Sequence, residues 1–223
     1  MSDSSSSGGE ETWIQWFCGL QGHEMFCEVD RSYIEDGFNL YGLRLHIPNI
    51  NDCLDVILDK LGPDESNDDV LQSAYALYGL IHARYVTTTN GLEAMYQKYS
   101  LQEFGNCPRF LCRGQPVVPM GPRDEPKAES VKVYCPKCRD VYNYPTPHGE
   151  PPVDGAYFGT TFAHLFFMTF EHLVPEPAQD LFVPRIFGFR IHGTSATGGG
   201  SARHRSVVAA AARGVGGAEA AAG

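Results

Sequence analysis

The chain has 223 residues, 43% of them hydrophobic, with 27 acidic against 17 basic side chains and a formal net charge of -10. That length holds one compact domain or two small ones, and the acid is unevenly placed: the first 70 residues carry 15 acids and 3 bases, the remaining 153 carry 12 and 14. So negative a beginning repels polyanions, which argues against non-specific nucleic-acid binding as the main function and favours cationic partners.

Residues 1–11, MSDSSSSGGEE, have neither a basic n-region nor an apolar h-region and are too polar to pack, so a disordered acidic lead-in is expected. No stretch approaches 18 uninterrupted apolar residues, and no membrane span is expected. Residues 12–104 carry helical signals. Thr12 can cap a helix over 13–20, and Ile47, Ile50, Leu54, Ile57, Leu58 and Leu61 recur at spacings of mostly three and four, predicting an amphipathic helix that Gly62-Pro63 ends. An acidic connector follows, then a helix over about 70–85 with Leu71, Ala74, Leu77, Tyr78, Ile81 and Tyr85 as its buried stripe. Asn90 with Glu93 reads as a capping box for a third helix through about Tyr99.

After Gly105 the composition turns to Pro, Gly, Cys and short β-prone runs such as 131–134, marking a change of subdomain. Residues 143–155 form a Pro/Gly-rich loop, 157–170 an apolar, aromatic-rich segment suited to a buried helix, and 183–191 a short extended segment that Pro184 places at an edge. Residues 193–223 contain 18 Gly or Ala and one acid, and a disordered tail is expected there. The expected class is α+β: a helical N-terminal lobe (12–104) joined to a four-cysteine zinc ribbon with a docking region (105–192), between disordered tails (1–11 and 193–223).

Cys107-x4-Cys112 and Cys135-x2-Cys138, separated by 22 residues, carry the strongest chemical signal. Each pair can close a tight turn with both sulfurs inward, and two such turns complete a tetrahedral four-sulfur cage suited to one Zn2+. Four thiolates leave no open position for water, so the metal is expected to be structural and its binding energy to be part of the folding energy. Seven cysteines, an odd number, in a chain with no leader suggest thiols and bound thiolates rather than a disulfide framework, and a cytoplasmic and nuclear location. Cys18, Cys27 and Cys53 lack partners at ligand spacing and read as small buried hydrophobes. His148 and His164 read as ordinary loop or core histidines rather than ligands.

A zinc ribbon can serve nucleic acid or another protein. Residues 105–139 hold 7 bases and 3 acids, which the charge of a Zn2+ tetrathiolate reduces to a weak positive footprint. Dimerisation through exposed apolar side chains, with Phe110, Val117, Val118 and Val141 as candidates, is the favoured use; a nucleic-acid or transcription-associated adaptor is the alternative. There is no G-x-S-x-G, P-loop, H-E-x-x-H or set of kinase motifs, so no catalytic residues are assigned. Ser7 with Glu10 and Ser66 with Asp69 place a carboxylate three residues after a serine, the pattern of an acidophilic phosphosite; phosphorylation of Ser7 would extend it to Ser4. From Asp52 to Asp69 there are seven acids and one base, either a solvated face or an electronegative site for a polyamine, Mg2+ or a basic partner.

WIQWFCGLQGHEMFCEV at 13–29, YGLIHARY at 78–85, CPR and YCPKC around the four cysteines, DGAYFGTTFAHLFFM at 154–168 and FVPRIFGFRIH at 182–192 together resemble the regulatory β subunits of casein kinase II. The resemblance covers about residues 12–192. It implies a non-catalytic subunit whose zinc ribbon, on Cys107, Cys112, Cys135 and Cys138, forms a homodimer, for which Phe110 and Val141 are the candidate interface residues on the strength of their apolar character. That dimer would carry two catalytic α subunits into a heterotetrameric Ser/Thr kinase selective for sites before acidic residues. It further implies contact with the catalytic subunit through Phe187 and Phe189, with intradomain packing as the other reading of these rings. One of the two positions is usually Tyr in the family, so Phe187 keeps the ring and loses a hydroxyl. Autophosphorylation is implied at Ser4 and Ser7, and docking of polyamines and basic substrates around Asp55, Asp59, Asp64 and Glu65. The sequence departs from the family in its Gly/Ala-rich tail, in a Pro-rich rather than basic loop at 143–153, and in a shorter acidic run.

Overall fold

The computed structural model describes residues 11–61, 67–145, 152–176 and 185–190. Those through 176 belong to one compact unit, and the segment 185–190 belongs to a second. No helix among the described residues is long and apolar enough to cross a membrane.

Helix α1 (Trp13–Gly19) starts as expected at Thr12, and Gln15 completes a reciprocal box: Thr12 Oγ1 accepts from the Gln15 amide at 3.3 Å, and Gln15 Oε1 accepts from the Thr12 amide at 3.2 Å. Its apolar face, Trp13, Ile14 and Phe17, is buried. Phe17 stacks on Trp13 at 5.1 Å and meets Tyr78 edge-on at 4.7 Å, so an aromatic cluster anchors the N-terminal helix to the middle of the lobe. A single short turn, α2 (Arg31–Glu35), follows, held by the fully buried Ile34.

Helix α3 (Ile50–Ile57) is shorter than the apolar stripe from Ile47 to Leu61 suggests. Pro48 has no amide hydrogen to give and restrains the residue before it, and at the other end Asp59 takes a left-handed conformation, φ 56°. Ile47 and Leu58 are buried all the same, from the turns flanking the helix. Leu54 and Leu61 are only partly buried, so the stripe located most of this part of the core and overestimated the helix.

Helix α4 (Asp68–Tyr85) is capped by Asn67, whose Oδ1 accepts from the amides of Asp69 and Val70. Ala74, Leu77, Tyr78, Ile81 and Tyr85 are buried as the periodicity predicts, Leu71 in the first turn is only partly buried, and Gly79, Leu80 and His82 are buried as well. The added burial arises because α3 covers one side of α4 and the 3-10 turn Gly155–Tyr157 covers another. Gly79 is required at that crossing: a Cβ would lie 2.4 Å from the ring of Tyr157. Helix α5 (Thr89–Ser100) starts one residue before the expected capping residue Asn90. Thr88 is the cap, accepting from the Gly91 amide at 3.2 Å, while Asn90 lies inside the helix and donates to Asp30 Oδ2 at 3.1 Å. Thr88 wins because its extended backbone, φ -85° and ψ 166°, aims the hydroxyl at the free amide.

Strands β1 (Val118–Met120), β2 (Lys132–Cys135) and β3 (Asp140–Asn143) form an antiparallel sheet in that order, with Val118 opposite Tyr134 and Cys135 opposite Asp140. The aromatic segment at 157–170 is not one helix. Gly159, φ 70°, separates the 3-10 turn from α6 (Phe162–Thr169). From α6, Phe166 packs on Tyr99 of α5 at 5.5 Å and Phe167 on Tyr134 of β2 at 6.0 Å, so the ribbon and the helical lobe share one core.

The segment expected as a single extended stretch is a hairpin, β4 (Arg185–Ile186) paired with β5 (Phe189–Arg190). Phe187 and Gly188, φ 49° and 86°, make the two-residue turn with both backbones left-handed, the geometry whose twist suits a tight hairpin.

Candidate metal centre and exposed interfaces

The two cysteine pairs reach one point from different local structures. Cys107 lies beside the bridge between Asn106 and Pro116, its amide bonded to the Gln115 carbonyl at 2.8 Å. Cys112 ends a 3-10 turn, Phe110–Cys112, that Arg113 reverses with φ 53°. Cys135 ends β2, and Cys138 sits in the turn to β3 that Arg139 closes with φ 56° and an amide bond to the Cys135 carbonyl at 2.8 Å. Left-handed residues let each loop double back within two or three positions. A backbone amide then faces sulfur, as at Arg109 N–H to Cys107 Sγ, 3.4 Å.

All four sulfurs lie within 4.8 Å of one another. Cys107 and Cys138 are 3.8 Å apart, and Cys112 and Cys135 3.9 Å. A regular tetrahedron of sulfurs around a zinc at about 2.3 Å has edges of about 3.8 Å, so the donor set matches that cage in type, number and spacing. The thiols alone make an unfavourable group. Burial pushes Cys112 up to about 11 and Cys135 higher still. At Cys138 burial opposes ionisation too, but hydrogen bonds from the Tyr142 hydroxyl and the three neighbouring thiols outweigh it and lower its value. A dication accommodates four sulfurs as thiolates that would otherwise compete for protons. Around them, Tyr142 hydroxyl stands 3.3 Å from Cys138 Sγ, and Lys137 Nζ donates to the Cys112 carbonyl at 3.2 Å. Sequence reading missed Tyr142; its place four residues after Cys138, opposite Val133 across the hairpin, was the available signal.

The other candidate residues fall in different places. Phe110, 92% exposed, projects from the ribbon, and Val141 is partly buried. Val117 and Val118 are corrected: at 1% and 0% exposure they belong to the core beneath β1, so they offer nothing to a partner. On the hairpin, Phe187 and Phe189 are 97% and 78% exposed, with Ile186 beside them at 58%. Asp55 pairs with Lys60 at 3.7 Å, and Asp59 accepts the Trp13 amide at 2.8 Å, capping α1 from a distant turn. Asp64, Glu65, Ser4, Ser7, Ser66 and His148 lie outside the described residues. His164 is exposed on α6; Cys27 and Cys53 are buried and Cys18 partly so.

One buried polar group carries no signal in the sequence at all. His82, fully enclosed by α4, the 23–29 turn and the 155–157 turn, receives the Cys27 amide on Nε2 at 3.2 Å and lies 2.8 Å from the Tyr157 carbonyl through Nδ1. Those partners require the neutral ring protonated on Nδ1. Burial lowers its pKa to about 4.

A family model described as Casein kinase II regulatory subunit matches residues 12–190. Curated relatives agree over most of the chain. The chain is 49% identical to Casein kinase II subunit beta of Schizosaccharomyces pombe, covering 88% of this chain and 86% of that protein. It is 48% identical to Casein kinase II subunit beta-3 of Arabidopsis thaliana, over 86% of this chain and 71% of that protein. It is also 48% identical to Casein kinase II subunit beta' of Drosophila melanogaster, over 83% and 86%. The chain belongs to the casein kinase II regulatory subunit family. The span matched to the family contains the aromatic cluster of the helical lobe, all four clustered cysteines and the exposed hairpin. The site that sets this family member apart from a generic helical protein is thus a closed four-thiol cage, and an exposed apolar hairpin follows later in the chain.

Proposed function

We propose that this chain is a non-catalytic regulatory subunit that binds one structural Zn2+ through Cys107, Cys112, Cys135 and Cys138. Through its ribbon it forms a homodimer, and it docks two catalytic subunits of an acidophilic Ser/Thr kinase. The observation that carries the reading is the four-sulfur cage inside a chain of this family. Closed tetrathiolate coordination supplies folding energy rather than chemistry, and it holds Phe110 outward on a surface a second copy can cover. Phe187 and Phe189 are the anchors offered to the kinase. Aromatic rings presented on a short rigid turn lose little entropy when they enter a pocket.

Basic substrates and polyamines are assigned to the acidic run around Asp55, with Asp59 committed in part to capping α1. Ser4 and Ser7 are proposed substrates of the assembled kinase, and the working location is cytoplasmic and nuclear. A zinc-ribbon adaptor for nucleic acid is the weaker reading, because the excess of acid over base in the first 70 residues opposes it. The deciding experiment is the mass, by light scattering, of the zinc-loaded chain alone and with the kinase catalytic subunit. A dimer that becomes a complex with two catalytic subunits is expected. A monomer, or a dimer that never associates with the kinase, overturns the proposal.

A further inference from the structure

Among the described serines and threonines, two have a carboxylate three positions on: Ser32 before Glu35, and Ser100 before Glu103. Their surroundings differ. Ser100 closes the last turn of the twelve-residue α5, where its hydroxyl donates to the Tyr96 carbonyl at 2.9 Å, and Glu103 is ion-paired to Lys98. Ser32 is exposed on the single turn α2, and its hydroxyl has no hydrogen-bond partner among the described residues. It borders an open cleft of about 420 Å3 together with Asp30, Asp36, Asn39 and Asn90.

The capping residue of α2, Asp30, makes no side-chain cap bond, and this five-residue helix is anchored by the burial of Ile34, the contact of Tyr33 with Tyr85 and the bond from Arg31 to the Leu58 carbonyl, all of which leave Ser32 on the surface. Downstream, Glu35, Asp36, Gly37 and Phe38 are all exposed, so the acids at the third and fourth positions after Ser32 already lie on the surface. Among the described residues Glu35 is engaged by Arg31 at 3.1 Å, in a pair whose side chains are 53% and 49% exposed. Exposed pairs of this kind are weak and exchange readily for other cations.

We propose that Ser32 is a phosphorylation site for an acidophilic Ser/Thr kinase, the docked catalytic subunit being the nearest source. This rests on the kinase reading above. Cationic side chains in the kinase groove would take Glu35 and Asp36 in charge-assisted hydrogen bonds. Ser32 Oγ attacks the γ-phosphorus of a nucleoside triphosphate bound by the kinase, and the new O–P bond forms as the bond to the β,γ-bridging oxygen breaks. The nucleoside diphosphate leaves with that electron pair, and the hydroxyl proton passes to a kinase carboxylate and on to water. The product adds a charge of about -1.5 to -2 next to Asp30 and Asp36, making the cleft a stronger site for cationic partners.

The test incubates the full zinc-loaded chain with the catalytic subunit and a magnesium nucleoside triphosphate, then maps phosphate by trypsin digestion and mass spectrometry. Cleavage after Arg31 and Arg44 yields a peptide in which Ser32 is the only serine or threonine. Phosphate on Ser32 is expected, at about tenfold or more over Ser100. Ser32→Ala should remove it, and Glu35→Gln with Asp36→Asn should cut it about tenfold. An unmodified Ser32, in a preparation that phosphorylates a synthetic acidic peptide, overturns the proposal, as does undiminished labelling of the Gln/Asn variant. Should the two proteins fail to co-elute, the assembly reading falls; the phosphopeptide map still decides Ser32, because free catalytic subunit can also meet the chain.

Discussion

His82 shows how one side chain ties the two halves of the main unit together. It takes a proton donor from the 23–29 turn and approaches a carbonyl of the 155–157 turn, and burial lowers its pKa from 6.5 to about 4. In the unfolded chain the ring protonates below about pH 6.5, whereas in the fold it stays neutral until about pH 4. The unfolded state therefore binds more protons in that window, and stability falls as pH drops through it. A displacement of this size corresponds to about 3 kcal/mol. His82→Gln should be less stable at neutral pH, with a gap to the parent that narrows by about that amount between pH 7 and pH 4; urea midpoints across the range check it. Gly79 is the companion case. Its missing Cβ is what lets Tyr157 lie on α4, and Gly79→Ala, forcing a methyl to within 2.4 Å of that ring, should cost about 1–3 kcal/mol in chemical denaturation.

At the level of elements, capping and turn geometry decide boundaries that hydrophobic periodicity leaves open. The stripe from Ile47 to Leu61 contains the buried residues of α3, yet Pro48 and the left-handed Asp59 confine the helix to eight residues. Asp59 then uses its carboxylate on the Trp13 amide, a link across 46 positions with no local sequence signature. The hairpin at 185–190 turns on Phe187 and Gly188, both left-handed. Phenylalanine pays a steric cost there that glycine does not. Gly188→Val should therefore unsettle the hairpin and weaken kinase association while sparing the dimer. Removing the rings themselves, Phe187→Ala with Phe189→Ala, should cost about 2 kcal/mol or more of binding free energy. Titration calorimetry with the catalytic subunit separates the two cases, since the double variant keeps the backbone turn and loses only the anchors.

Within the main unit, α6 connects the four-cysteine cluster and the helical lobe, packing Phe166 on Tyr99 and Phe167 on Tyr134 of the strand that ends at Cys135. Loss of the metal should therefore reach beyond the ribbon. Chelation, or Cys107→Ser with Cys112→Ser, is expected to abolish the dimer and to lower the thermal midpoint of the helical lobe, read by circular dichroism with sedimentation velocity. A metal-free dimer of undiminished stability would refute the role given to the cage. The four clustered cysteines were legible in the sequence because their pairing is written in short-range spacing: two turns, each with two sulfurs, can be read without knowing how the chain folds. The α+β class, the helix stripes and the acidic first third were legible for the same reason, being local in periodicity or composition. Tertiary structure alone decided that Val117 and Val118 face inward while Phe110 faces out, that Asp59 caps a remote helix, and that His82 is neutral and sealed. Each of these depends on which distant segment covers a side chain, and burial is set by partners far away in sequence rather than by the residue and its neighbours.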